Sequence, residues 1–360
     1  MIIVGQLGCG YWGPNLLRNF SSRKDCRVKW VAEVSAERQA YVRENYPDTP
    51  VTPHFEEVLA DPEVNAVVIA TPAATHFALA RAALQNGKHV LVEKPFTNSV
   101  SHAQELAALA AEKGLALMAG HTFIYNAAVR YVKNLVDSGE LGDIFYIYCQ
   151  RLNLGKVRSD VNAWWNFAPH DVSILLYLLN GSLPAAVTAV GSDYIQSGVE
   201  DVVFATYSWA NKMTAHVHVS WLDPGKTRRI TVVGSKKMVV YNDISDDKIA
   251  IYDKGVDRIP RLAQRMDFDH YNGYQLSQRT GDVILPKINF TEPLKVQAEH
   301  FLECIRDGKE PLTGARHAIP VVMALEAAQR ALKTRQSVSI GHEHPDFSGP
   351  LAETSLSHIK

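Results

Sequence analysis

The stretch Gly8-Cys9-Gly10-Tyr11-Trp12-Gly13 limits the fold more than any other part of this 360-residue chain. Its three glycines follow a short apolar run, Ile2-Ile3-Val4, and precede a helix pattern over residues 14–20. A strand that turns at once into a helix needs Gly8 for the tight turn and Gly13 for close helix–strand packing. Gly10 lets the backbone approach a pyrophosphate, which the helix N-terminus holds with unpaired N–H groups and positive dipole. Taken alone, such a triplet is a common turn signal. Its context strengthens it, because Glu33 ends the next apolar run, 23 residues after Gly10. That is near the ~20 expected for a carboxylate accepting from adenosine ribose hydroxyls. A carboxylate there repels a 2′-phosphate, so the reading favours NAD over NADP, with Ser35 and Arg38 able to soften the preference. Cys9 reads as a small turn residue and not as a nucleophile. Gln6 stands out as a polar residue in a strand expected to be buried.

The first third of the chain alternates strand runs (28–32, 64–70, 89–93, 115–118) with helix patterns (36–45, 76–86, 101–113). Gly87 and Gly114 close the last two helices as C-caps. Such alternation implies βαβ units and a mainly parallel sheet. Past residue 122 the pattern changes to strands at 144–152, 186–190, 202–209, 213–221, 229–233 and 237–241. Turn signals such as Ala210-Asn211-Lys212 and Gly234-Ser235 pair several as antiparallel hairpins. Helices near 126–138, 169–180 and 293–307 are expected to cover one face, with a final helix at 316–333. The fold class is thus α/β. An N-terminal Rossmann domain (1–122) precedes an α+β domain (123–340) with a large, mostly antiparallel open sheet, and a poorly ordered tail (341–360) follows. An open sheet has a second face to hide, so a homo-oligomer, dimer or tetramer through that sheet, is expected.

Composition excludes several classes. With a formal net charge of −1 and no block of like charges, nothing advertises a nucleic-acid or membrane-surface role. No apolar run approaches the roughly 18 residues of a membrane span, and no basic-then-apolar leader precedes the first strand. The four cysteines, Cys9, Cys26, Cys149 and Cys304, show no metal spacing and read as free thiols. The expectation is a cytoplasmic enzyme without a metal.

Two further segments give the chain a likeness. Ala70-Thr71-Pro72, followed by Thr75-His76, comes just after one strand, and Glu93-Lys94-Pro95 ends another. With the glycine turn, they resemble the glucose–fructose oxidoreductase / inositol dehydrogenase / MocA (Gfo/Idh/MocA) family. The resemblance continues through Gly120-His121-Thr122-Phe123-Ile124-Tyr125-Asn126, residues 165–171 and Ser220-Trp221-Leu222-Asp223-Pro224. Within the family it looks most similar to nucleotide-sugar 3-dehydrogenases of surface polysaccharide pathways. The likeness implies a dehydrogenase whose NAD is lined by Gly8, Gly10, Tyr11, Trp12, Gly13, Glu33, Thr71, Pro72, His76, Glu93 and Lys94. It also implies that Lys94 lies beside the nicotinamide as acid/base.

Hydride leaves a carbinol carbon easily only if the hydroxyl proton departs as the carbonyl forms. A free lysine, titrating near ~10.4, is a poor base at neutral pH, and burial and a cationic ring would depress that value. The family's second catalytic element, a histidine, matches His170. Pro169 is tolerated best in a helix's first turn, so His170 is expected at an N-terminus, where the dipole favours neutral imidazole. The chain departs from the usual pattern at Asn166, where many members carry aspartate, which weakens a histidine–carboxylate relay and leaves Lys94 as the base. Asp171 is adjacent, although neighbouring helix residues do not share a face.

Substrate contacts are expected from Lys94, Tyr125, Asn126, Arg151, Asn153, Asn166 and His170, with Arg158 in a following loop. Arginine matches a nucleotide sugar's diphosphate with a bidentate fork. Trp164 and Trp165 either stack on a sugar ring or pack. Lys226, Arg228 and Arg229 read as solvated surface. The leading function is oxidation of a secondary hydroxyl, at C3, of a sugar or nucleotide-linked N-acetylhexosamine or uronic acid. The alternatives are an inositol or free-aldose dehydrogenase and a dinucleotide-dependent sugar sensor.

Overall fold

The computed structural model describes residues 1–260 and 274–341. The expected tail, apart from Gly341, lies outside the described residues. The first sheet has six parallel strands in the order β3-β2-β1-β4-β5-β6. These are β1 (Ile2–Leu7), β2 (Cys26–Ala32), β3 (Val51–Thr52), β4 (Ala66–Ile69), β5 (His89–Val92) and β6 (Leu117–Ala119). The strand order reverses between β1 and β4, which opens a crevice at the carboxyl ends of those strands. Residues 66–69 are buried without alternation, as expected for a parallel strand covered on both faces. The connecting helices are α1 (Gly13–Ser21), α2 (Ala36–Asn45), α3 (Phe55–Ala60), α4 (His76–Gln85) and α5 (Val100–Glu112). The short pair β3 and α3 has no counterpart among the sequence expectations.

The second sheet has nine strands in the order β14-β13-β12-β11-β7-β10-β9-β8-β15. They are β7 (Ile144–Leu152), β8 (Ala186–Ser192), β9 (Val202–Ser208), β10 (Thr214–Ser220), β11 (Thr227–Gly234), β12 (Met238–Asn242), β13 (Ile249–Pro260), β14 (Tyr274–Ile284) and β15 (Val338–Ser339). All neighbours are antiparallel except β7 and β10. In β7, Ile147, Cys149 and Arg151 point inward and are buried, as the two-residue period requires. The opposite face carries Tyr146, Phe204 and Val190, all exposed, with Phe204 stacked on His218 at 4.1 Å.

The described residues form four further α-helices: α6 (Ala127–Asp137), α7 (Ala163–Leu178), α8 (Pro293–Asp307) and α9 (Ala315–Thr334). The expectation that residues 293–307 cover the second sheet is corrected. That helix packs on α1, where Phe20 meets Phe301 edge-to-face at 6.5 Å and Arg18 pairs with Glu292. Helix α9 bridges both halves, packing on α5 and β6 of the first sheet and on α7 and β8 of the second. Just ahead of it, the Ala119 N–H donates to the Thr313 carbonyl and the Thr313 hydroxyl returns to the Ala119 carbonyl, closing the β6 edge. Among the described residues no helix is long and apolar enough to cross a membrane, and no group of His, Cys, Asp and Glu could hold a metal.

Candidate active site

Every strand of the first sheet that carries an expected cofactor residue delivers it at its carboxyl end. The glycine turn follows β1, Glu33 follows β2, Thr71-Pro72 follows β4 and Glu93-Lys94 follows β5. Gly8 has φ +90°, and a Cβ there would lie 2.7 Å from the Ala70 carbonyl oxygen. A Cβ on Gly13 would meet the Gly8 carbonyl at 2.8 Å, whereas one on Gly10 would meet nothing within 4 Å. Gly8 and Gly13 are therefore demanded by the protein's own backbone. Gly10 faces open space in front of the α1 N-terminus, the place where a pyrophosphate fits. Gln6 now has an account: buried beneath the turn, its Nε2 donates to the carbonyls of Gly8 and Gly13 at 2.9 and 3.1 Å.

Glu33 is buried, with Oε2 accepting from the Cys9 N–H at 2.6 Å and Oε1 from the Ser35 N–H at 2.9 Å. It is fixed to the turn whose ligand it would read, and burial raises the Cys9 thiol to about 11, which keeps it inert at neutral pH. Tyr11 is exposed, and the Trp12 indole N–H donates to Glu93 Oε1 at 2.9 Å. Thr71 Oγ1 accepts from the Thr75 hydroxyl at 2.7 Å, and Thr75 also donates to the Pro72 carbonyl. The buried His76 ring spans the next gap, with Nδ1 2.7 Å from the Pro95 carbonyl and Nε2 3.0 Å from that of Thr71. Burial pulls its pKa below the usual value while the two carbonyls pull it up, so the ring ties the two loops together.

Lys94 leaves β5 through a cis bond to Pro95. Its Nζ crosses to the second half and donates to the Asn166 backbone carbonyl at 3.1 Å. Desolvation pushes its pKa down to about 8 against the opposing charge of Glu93, helped by the guanidinium groups of Arg151, Arg158 and Arg228. Burial raises the adjacent Glu93 carboxyl to about 7, although Lys94, the Lys94 N–H and Trp12 favour its anion. Two groups of opposite type thus titrate near neutrality within one cleft, the arrangement that acid–base chemistry needs.

His170 also reaches this cleft, but not as expected. Helix α7 begins at Ala163 with Asn162 as its cap, accepting from the Trp165 N–H, so Pro169 lies inside the helix and His170 in its third turn. The buried face of α7, from Ala163 and Trp164 through Val172, offsets the roughly 3 kcal/mol that an internal proline costs. The imidazole is still neutral, because burial and the nearby cations Lys94 and Arg151 hold its pKa well below the ordinary value. Its Nδ1 is buried with no partner among the described residues. Phe123 wedges between His170, at 5.0 Å, and the Arg151 guanidinium, at 4.7 Å from the ring centre.

Several expected substrate contacts serve the fold instead. Tyr125 is buried and its hydroxyl bonds Thr313 Oγ1 at 3.1 Å, so it belongs to the core. Asn126 caps α6 by accepting from the Ala128 N–H, and its amide donates to the Tyr241 hydroxyl. Trp164 is fully buried and donates to the Leu325 carbonyl. The Arg151 fork is taken by buried Asp171, through Nε at 2.7 Å and Nη2 at 3.1 Å. Asn153 and Asn166 are half-buried, Asn153 just past β7 and Asn166 in the first turn of α7. Sequence reasoning gave no role to His121, which follows β6, is buried, and has both ring nitrogens without a partner among the described residues. Its buried, polar type in a loop at a carboxyl strand end was the available signal.

Both halves of the chain resemble known proteins. Residues 2–121 match the Gfo/Idh/MocA oxidoreductase family, NAD-binding Rossmann fold, and residues 129–240 match the Gfo/Idh/MocA C-terminal domain. The UDP-N-acetylglucosamine 3-dehydrogenase of Acidithiobacillus ferrooxidans is 30% identical over 263 residues, 72% of this chain and 79% of that protein. A solved structure of that organism's enzyme, GnnA, aligns with a TM-score of 0.76 at 25% identity, covering 92% of this chain and 98% of that one. The NADP(+)-dependent scyllo-inositol 2-dehydrogenase IolW of Bacillus subtilis is 24% identical over 332 residues, 87% of this chain and 89% of that protein. GenD2 from gentamicin A biosynthesis, solved in complex with NAD, shares the fold with a TM-score of 0.78 at 23% identity over 94% of this chain and 96% of that one.

Proposed function

The chain belongs to the Gfo/Idh/MocA family of NAD-binding oxidoreductases, and we propose that it oxidises a secondary hydroxyl of a sugar, most closely C3 of a nucleotide-linked N-acetylhexosamine or its uronic acid. The observation that carries this reading is Lys94, a half-buried amine at the cleft with a pKa of about 8. Bound NAD supplies the hydride acceptor. Neutral Lys94 takes the hydroxyl proton as the carbonyl forms, and the Asn166 carbonyl holds the ammonium that results. At pH 7 a group of pKa about 8 is neutral in about a tenth of molecules, against fewer than one in a thousand for a free lysine. Neutral His170 supplies a second acceptor beside the sugar. Among relatives, the 3-dehydrogenase similarity supports the nucleotide-sugar substrate.

The test is incubation with NAD and UDP-N-acetylglucosamine, UDP-glucuronic acid, free aldoses or myo-inositol while following nicotinamide absorbance. Reduction with the nucleotide sugars supports the reading, and reduction with inositol alone overturns it in favour of an inositol dehydrogenase. The sensor alternative would show cofactor and sugar binding without turnover in either the parent or Lys94→Ala. The exposed Tyr146, Phe204 and Val190 face supports a homo-oligomer through the second sheet. A monomer by sedimentation at working concentration would remove that part.

A further inference from the structure

We propose that Arg228 is the residue that selects an anionic substrate, taking a carboxylate or phosphate oxygen of the sugar whose hydroxyl faces Lys94. The proposal rests on the sugar-dehydrogenase reading above and says what kind of sugar the cleft accepts. Strand β11 runs antiparallel to β7 in a register that places Arg228 directly opposite Arg151, on one face of the sheet. Like charges directly opposite are unfavourable unless something compensates them. Arg151 joins the end of β7 to α7 through Asp171, and α7 is the helix that Lys94 reaches from the first sheet.

Three guanidinium groups bear electrostatically on Lys94, those of Arg151, Arg158 and Arg228. They differ in what already holds them. Arg151 is buried, and Asp171 takes two of its nitrogens. Arg158 gives both Nε and Nη2 to Asp160 in its own loop. Arg228 gives only Nη1, to Asp243 Oδ2 at 3.2 Å, and Asp243 is shared with the Tyr241 hydroxyl on its other oxygen. The Arg228 side chain is 39% exposed, so its remaining donors are open to solvent. A planar fork with one tooth engaged is suited to bidentate capture of a carboxylate or phosphate. Asp243 then orients the fork without filling it.

The test uses NAD-saturated protein, parent against Arg228→Met, which keeps the aliphatic stem, and Arg228→Lys, which keeps charge but not the fork. The readout is the ratio of kcat/KM for UDP-N-acetylglucosamine or glucuronate over that for myo-inositol. A fall of about 10- to 100-fold in this ratio for Arg228→Met, partly recovered by Arg228→Lys, is expected for loss of charged hydrogen bonds. An unchanged ratio overturns the proposal. A binding arm separates this outcome from failure of the dehydrogenase reading, since it needs no turnover. Inorganic pyrophosphate and glucuronate are titrated calorimetrically into parent and Arg228→Met. Pyrophosphate affinity lost in the variant identifies a diphosphate site, and glucuronate affinity lost identifies a carboxylate site. Equal affinity in parent and variant for both anions overturns the proposal even if every sugar is inert.

Discussion

The Lys94 ammonium and the Asn166 backbone carbonyl meet at 3.1 Å across the junction of the two sheets. The family's usual aspartate is absent at position 166, yet the position still addresses the base, through its main chain. A carbonyl stabilises the protonated lysine without adding a negative charge, and desolvation, opposed by the charge of Glu93, still brings the pKa down to about 8. The proposed oxidation therefore rests on Lys94.

For Lys94, the rate of hydroxyl oxidation is expected to rise with pH through an apparent pKa of about 8, because only the neutral amine accepts the proton. Lys94→Met should lower kcat by about 10²- to 10⁴-fold, the usual worth of a general base, while NAD still binds. A pH–rate profile and a cofactor titration of both proteins check this. A flat profile between pH 6 and 9 in the parent would point to another base.

Alanine at Gly10 and at Gly13 should separate ligand space from protein space. Gly10→Ala places a methyl in open space, so thermal stability holds while NAD affinity falls by about tenfold or more, roughly 1.4 kcal/mol. Gly13→Ala drives a methyl against the Gly8 carbonyl and the Gln6 amide, costing about 1–3 kcal/mol of stability. Melting curves with and without NAD distinguish the two.

Gln6→Leu keeps the volume but removes both bonds that hold the turn. Two carbonyls lose their donor, and about 1–3 kcal/mol of stability is expected to go with them. Cofactor affinity should weaken in parallel, measured by calorimetry. Intact NAD binding in a destabilised Gln6→Leu protein would show that the turn holds its shape without the staple.

Asp171→Asn leaves the Arg151 guanidinium buried without its counter-charge, where both side chains are almost fully enclosed. Breaking a buried pair from one side costs about 3–5 kcal/mol, so denaturant unfolding should show a large loss. The double change Asp171→Leu with Arg151→Met is expected to recover much of it. No recovery would mean that the charges, not the volume, hold β7 against α7.

Glu33→Ala should narrow the gap between NAD and NADP, since the carboxylate that repels a 2′-phosphate is gone and Arg38 is nearby in sequence. The check is the ratio of the two dissociation constants. Tighter NADP than NAD binding already in the parent would show that Glu33 does not set the preference.

Much of this was readable before the fold. Parallel strands covered on both faces are continuous apolar runs, and glycine C-caps end helices abruptly, so the first sheet and its cofactor turn stood out. The failures share a cause, which is dependence on distant partners. Strands β13 and β14 form a ribbon with charge along it, where Arg279 reaches both Asp253 and Asp257, so no alternation betrays them. Pro169 marked a helix start by local rule, but tertiary packing carried the helix through it. Tyr125 looked like a sugar contact because Thr313, its partner, lies 188 residues away.

The return of Thr313 and α9 onto β6 and α5 has a consequence for synthesis. A growing chain that has just completed its sixth parallel strand still lacks the lid for that edge and the helix for that face. Those arrive only after eight of the nine strands of the second sheet have been translated. The nucleotide-binding half therefore waits on the ribosome as an unfinished body, with apolar surface open to chaperones or to neighbouring chains. Maturation of cofactor binding and of catalysis is thereby tied to one late event, and a truncation ahead of α8 should yield neither activity nor a soluble fragment.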